Sequence, residues 1–217
     1  MLTRDYKRIC LWGVPRSGST YVFYNLVDHI LNSGWNKKFN TDFNVYHKGS
    51  EPFRQDVVSR VEEFEQEECW IAKVHNIDMR NLEEAGVYKR FECMPDYNIL
   101  LLRKNLFDST LSLCIANIKQ QWTNDHDAKP ITVSVDKFNE MLQHQIEYRD
   151  SYNDRTFDAT IYTEDLTNNP NDIWNMLTGT QPKHSITNSI SKSPNKQQVV
   201  TNYKELRGVY NEMRISK

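Results

Sequence analysis

The sequence predicts an α/β protein: a P-loop-like three-layer fold with a central, mainly parallel sheet of about four to five strands flanked by helices. Three observations predict it. Short apolar runs of strand length alternate with stretches whose apolar residues recur at helical spacing. The run Asn98 to Leu102 is almost wholly apolar, as expected of a strand covered on both faces. The first run, Ile9 to Trp12, leads through a turn rich in Gly, Pro and Ser straight into a helix. At 217 residues the chain is most simply one domain, 1–217, long enough for a real core.

The first strand, Ile9 to Trp12, gives way to a turn beginning at Gly13, and Thr20 opens a run with Val22, Phe23, Leu26, Val27, Ile30 and Leu31 at helical spacing. A small-residue loop meeting a helix N-terminus makes an anion site. Backbone N–H groups there have no intrahelical partner, and the helix dipole adds partial positive charge. Gly13 to Thr20 nearly has the spacing of a nucleotide-triphosphate loop, but Ser19 stands where that loop has Lys. The fixed cation is Arg16 instead, joined by the hydroxyls of Ser17, Ser19 and Thr20. That set suits one terminal phosphate bearing a transferable group better than a triphosphate with Mg²⁺. The bland reading is a Gly/Ser turn between strand and helix.

Asn32 to Ser50 reads as a long loop, with a short strand at Asn44 to His47, and Gln55 to Gln66 as an acidic amphipathic helix. Cys69 to Val74 is the second good strand and delivers Lys73 and His75 to its C-terminal end, the edge where ligands bind in open α/β sheets. Strand alternation puts Lys73 and His75 on one face. A histidine there can act as a general base near neutral pH, although an isolated one is more often a hydrogen-bonded structural residue. Ile77 to Gly86 is a short helix or turn region, and Val87 to Pro95 a poorly patterned connection.

The third strand, Asn98 to Leu102, ends in Arg103 and Lys104. Asn105 follows as helix N-cap with Asp108 three residues on, and the helix runs to about Gln121, apolar round most of its circumference except at Ser112. Val135 to Asp150 is a further helix, and Thr156 to Tyr162 the fourth strand. Glu164 to Leu166 opens another helix or turn, and Ile173 to Leu177 resumes it. The stretch of about 179–201 is rich in Ser, Thr, Asn and Lys and reads as a mobile C-terminal loop.

Composition excludes several classes. Lys and Arg (27) nearly balance Asp and Glu (29), which argues against a general nucleic-acid surface. No apolar run has the length of a membrane span, and the first strand begins too early to leave room for a signal peptide. Cys10, Cys69, Cys93 and Cys114 show no C-x-x-C spacing, which predicts reduced, mostly buried thiols rather than zinc, and a cytoplasmic setting.

The string P-R-S-G-S-T-Y, Pro15 to Tyr21, resembles the 5′-phosphosulfate loop of the sulfotransferases, which use 3′-phosphoadenosine 5′-phosphosulfate (PAPS). The family loop reads roughly P-[KR]-[ST]-G-[ST]-[ST]-[WY]. Later segments agree in order. K-V-H at 73–75 resembles the K-x-H strand. Arg103 and Lys104 followed by S-L-C-I-A at 112–116 resemble the 3′-phosphate site of small bacterial-type members, and E-D-L at 164–166 resembles a further family segment.

The resemblance implies PAPS as co-substrate, 3′-phosphoadenosine 5′-phosphate (PAP) as product, and no metal. It implies His75 as base, with Arg16 and Lys73 beside the transferring group. Pro15, Arg16, Ser17, Gly18, Ser19, Thr20 and Tyr21 would hold the 5′ side, and Arg103 or Lys104 with Ser112 the 3′-phosphate. Tyr162 would stand in for the family's adenine-side tyrosine, whose position Thr163 occupies here, and Lys192 would close over the nucleotide. The acceptor is a hydroxyl-bearing small molecule or carbohydrate, with no nucleic acid or membrane partner expected. The alternatives are a small-molecule kinase using ATP and Mg²⁺, and a non-catalytic nucleotide-binding module.

Overall fold

A computed structural model describes residues 5–32, 40–44, 53–119, 129–166, 171–179 and 195–215. They form two compact units, one made of 1–102 and 154–188, the other of 103–153 and 189–217.

The first unit is built on five parallel strands: β1 (Arg8–Gly13), β2 (Asn40–Asn44), β3 (Trp70–His75), β4 (Tyr97–Leu102) and β5 (Ala159–Tyr162). Their order across the sheet is β2-β3-β1-β4-β5, with the first strand in the middle. Parallel strands need crossovers, and helices supply them. Strand alternation divides the cover. Ile9 and Leu11 of β1, Ile71 of β3 and Ile99 and Leu101 of β4 pack with α1 (Ser19–Asn32) and α7 (Asn171–Thr178). The intervening residues face the other layer, made by α2 (Phe53–Gln66), α3 (Asn76–Glu84) and α4 (Tyr88–Glu92). There the rings of Trp12 and Phe91 meet edge to face at 6.0 Å, and Phe64 meets Trp70 at 4.9 Å. Helix, sheet and helix form the three layers the sequence predicts.

The second unit is helical: α5 (Leu106–Lys119), α6 (Val135–Asp150), α8 (Lys196–Val199) and α9 (Tyr203–Ile215). Its core centres on Phe107, whose ring lies 5.5 Å from Phe138, 5.3 Å from Tyr203 and 5.4 Å from Tyr210. Asn105 caps α5 as its sequence predicts, its Oδ1 accepting from the Asp108 N–H at 3.2 Å.

Three boundaries differ from expectation. The second strand in chain order lies at Asn40–Asn44, ahead of the predicted 44–47, and residues 45–52 are outside the described ones. Val87 to Pro95 contains the short helix α4, which tertiary burial of Tyr88 and Phe91 explains better than its weak periodicity. Within the tail, 180–194 lie outside the described residues, while Lys196–Val199 is a helical turn with Val199 buried.

Candidate functional site

The link from β1 to α1 opens with a tight turn: the Ser17 N–H donates to the Val14 carbonyl at 3.2 Å. Pro15 stands at the first inner position and Arg16 at the second, with φ of 65°. Proline followed by a positive φ is the pattern of a type II turn, whose second inner position ordinarily takes Gly or Asn. Holding a β-carbon residue there costs on the order of 1 kcal/mol. Backbone strain of this kind concentrates at functional positions, and here it falls on the loop's arginine.

Gly18 follows with φ of 83°. A β-carbon at Gly18 would lie 2.9 Å from the Thr163 Cγ2 methyl. Thr163, just past β5, donates its hydroxyl to the Ser17 carbonyl, with the Leu102 carbonyl 3.3 Å away. The end of β5 therefore clamps the loop. Sequence reasoning missed this role. Thr163 drew notice only as a departure from the family's tyrosine, and nothing in the local sequence signals the clamp.

Ser19 begins α1, so the N–H groups of its first turn have no intrahelical acceptor and point out at the loop. Ser17 is fully buried and its hydroxyl has no partner among the described residues.

Parallel pairing sets Gly13 opposite His75, so the end of β3 lies beside the start of the loop. Lys73 and His75 share the face that looks toward α1, as the alternation predicts. Lys73 Nζ donates to Thr20 Oγ1 at 3.2 Å, and His75 Nε2 lies 2.8 Å from Ser19 Oγ. The predicted base, a second cation and two loop hydroxyls thus form one connected group.

Asp78 completes it. His75 is the N-cap of α3, and its backbone N–H donates to Asp78 Oδ2 at 2.7 Å. The same oxygen is 3.8 Å from His75 Nδ1. Asp78 has no solvent exposure, and its Oδ1 finds no partner among the described residues. Sequence reasoning missed Asp78 as well, although an acid three residues after an N-cap is a recognisable capping signal.

Burial dominates the electrostatics. It pushes His75 down to about 3, with the Lys73 ammonium adding to the effect. His75 is therefore neutral at neutral pH, while about a fifth of its side chain (21%) stays exposed. Burial lowers Lys73 too, opposed by the Asp78 charge. Burial raises Asp78 to about 6, against the pull of the His75 N–H and of Lys73.

The other predicted residues fall elsewhere. Tyr21 packs against the edge of the apolar core, where burial raises its hydroxyl's pKa. Tyr162 is half-buried at the end of β5, paired in register with Leu102. Arg103, Lys104 and Ser112 belong to the second unit, Lys104 exposed before α5 and Ser112 within it at 8% exposure. Lys192 lies outside the described residues.

Cys10, Cys69 and Cys114 are buried and Cys93 exposed, all as free thiols. Among the described residues, no group of three or more His, Cys, Asp or Glu is set to hold a metal ion. No described helix is long and apolar enough to cross a membrane.

Fold and site together define an α/β protein in which a hydroxyl-rich strand-to-helix loop contacts a half-buried histidine and lysine at the end of the neighbouring strand. Compared with known proteins, the chain matches no family model, no curated protein and no solved structure.

Proposed function

We propose that this chain transfers the sulfuryl group of PAPS to an acceptor hydroxyl. The observation that carries the reading is the 2.8 Å contact between His75 Nε2 and Ser19 Oγ, which joins a neutral base to the anion loop. The donor set also suits the group. One guanidinium (Arg16), buried hydroxyls and helix N-terminal N–H groups match a phosphate with a transferable sulfuryl, and no loop lysine is present for a triphosphate.

In this reading His75 Nε2 gives up its contact with Ser19 Oγ as the acceptor enters, and takes the acceptor's hydroxyl proton. The acceptor oxygen forms a bond to sulfur as the bond from sulfur to the 5′-phosphate oxygen breaks. Arg16 and the first-turn N–H groups stabilise charge on the sulfuryl and leaving-phosphate oxygens. Lys73 adds a cation beside Thr20. The bound anion's charge favours a protonated imidazole, opposing the burial and the Lys73 charge that depress it. Arg103, Lys104 and Ser112 are the proposed holders of the 3′-phosphate, Tyr162 a contact for adenine, and Lys192 a closing cation. The compartment proposed is the cytoplasm.

Calorimetric titration with PAP and with ATP, each with and without Mg²⁺, tests the reading. Tight, metal-independent binding of PAP with weak ATP binding is expected. Mg²⁺-dependent ATP binding without PAP binding would replace it with a phosphotransferase. PAP binding with no turnover on any phenol or sugar acceptor would favour a binding module.

A further inference from the structure

Thr163 holds the loop through a single proton. Its hydroxyl has one O–H, and of the two carbonyls within reach the nearer is that of Ser17, with the Leu102 carbonyl at 3.3 Å. The threonine is itself fixed. It follows Tyr162, which pairs in register with Leu102 of β4, and its own carbonyl accepts from the Leu166 N–H at 3.1 Å.

The direction of the Ser17 carbonyl decides the direction of the next N–H. The Ser17–Gly18 peptide is trans, so its C=O and N–H point opposite ways. A carbonyl held toward β5 sends the Gly18 N–H away from β5. In the sheet, β3 and β5 lie on opposite sides of β1, whose end carries the loop. The Gly18 N–H therefore points to the side where Lys73 and His75 meet the loop. It has no acceptor among the described residues. It is also outside the ladder of α1, whose first bond runs from the Val22 N–H to the Gly18 carbonyl at 3.1 Å.

The Ser17 side chain is an independent sign of a ligand. Its hydroxyl is fully buried and has no partner among the described residues. It lies 3.1 Å from where a Gly13 Cβ would stand, inside the curve of the loop. A buried hydroxyl without a partner is costly, and an oxyanion seated in the loop offers an acceptor to it and to the Gly18 N–H.

We propose that Thr163 is a positioning residue: by holding the Ser17 carbonyl toward β5, it aims the Gly18 N–H at a phosphate-type oxyanion seated in the loop. The identity of that oxyanion as PAP rests on the sulfotransferase reading above, but the role of Thr163 does not. Without the Thr163 hydroxyl the Ser17–Gly18 peptide is free to turn over, which presents a carbonyl oxygen to the anion in place of a donor.

The test is NMR of the full-length protein labelled with nitrogen-15 glycine and carbonyl-carbon-13 serine, titrated separately with inorganic pyrophosphate and with PAP. Only glycines that follow a serine give a coupled signal, namely Gly18 and Gly34, and Ser33→Ala removes the second. The Gly18 amide proton should shift downfield as the anion is added. In Thr163→Val, which keeps the shape and loses the hydroxyl, the Ser17 carbonyl carbon should move upfield. Affinity for the anion should fall about tenfold or more in that variant, as for one lost hydrogen bond to a charged group. Thr163→Ser should keep the wild-type affinity. A Gly18 amide that neither anion moves overturns the proposal in the wild type alone, whether or not a variant folds. A tenfold loss of affinity in Thr163→Ser overturns it too, as does wild-type affinity in folded Thr163→Val. A Gly18 shift with pyrophosphate and none with PAP would count against the sulfotransferase reading while leaving Thr163 its role.

Discussion

Ser19 Oγ and His75 Nε2 stand 2.8 Å apart, although 56 residues separate them in the chain. One is the first residue of α1 and the other the last of β3, brought together by the parallel pairing of β1 with β3. If this contact marks where chemistry occurs, His75→Ala should lower turnover by roughly 10²–10⁴-fold, the usual contribution of a general base. Steady-state rates with PAPS and a phenolic or sugar acceptor measure it. Unchanged turnover would remove His75 from the mechanism.

Arg16 separates stability from function. Its φ of 65° suits glycine. Arg16→Gly relieves about 1 kcal/mol of conformational strain but loses a comparable amount in unfolded-chain entropy. Its denaturation midpoint should therefore barely move, while PAP affinity and turnover both fall. Normal affinity in this variant would mean that the guanidinium does not meet the nucleotide.

Gly18 is closed to larger residues twice over, by φ of 83° and by the Thr163 methyl 2.9 Å from its would-be Cβ. Gly18→Ala should cost at least about 1–2 kcal/mol from conformation alone. Combining it with Thr163→Ser, which keeps the hydroxyl and drops the methyl, should recover part of the loss. A double-mutant cycle by chemical denaturation reads the coupling, and strictly additive effects would show that the methyl is not the obstacle.

Acid should destabilise the protein in a window set by three groups that burial shifts. His75, depressed to about 3, and His29, also lowered by burial, refuse protons that the unfolded chain accepts once pH drops below about 6.5. Their contribution to stability is thus present at neutral pH and lost as pH falls. Asp78, raised to about 6 from 3.8, acts in the opposite sense. Between those values the folded state holds a proton that the unfolded chain releases, so its contribution grows as pH falls through 6. The thermal midpoint should decline below pH 6.5, with Asp78 offsetting part of the loss between pH 6 and 4. Asp78→Asn should make that decline steeper, and His75→Gln should make it shallower. A profile that is flat from pH 7 to 4 in the wild type would contradict this balance.

Much of this molecule was legible in local sequence, because local rules suffice for it. The apolar runs at Ile9 to Trp12 and Asn98 to Leu102 are strands, the period from Thr20 onward is a helix, and Asn105 caps α5. Alternation along a strand alone put Lys73 and His75 on one face, and the structure turns that face toward α1. Strand order, and hence which strand end neighbours the loop, depends on pairing between segments far apart in the chain, which no local pattern encodes. The Thr163 clamp joins residues 146 positions apart and was invisible for that reason. The setting of Asp78 depends on burial, which changes the ionisation of a carboxylate that the sequence shows only as a helix-start acid. The chain by itself determined which groups are available; the packing of β3 and β5 against the loop decided which of them meet, and in what charge state.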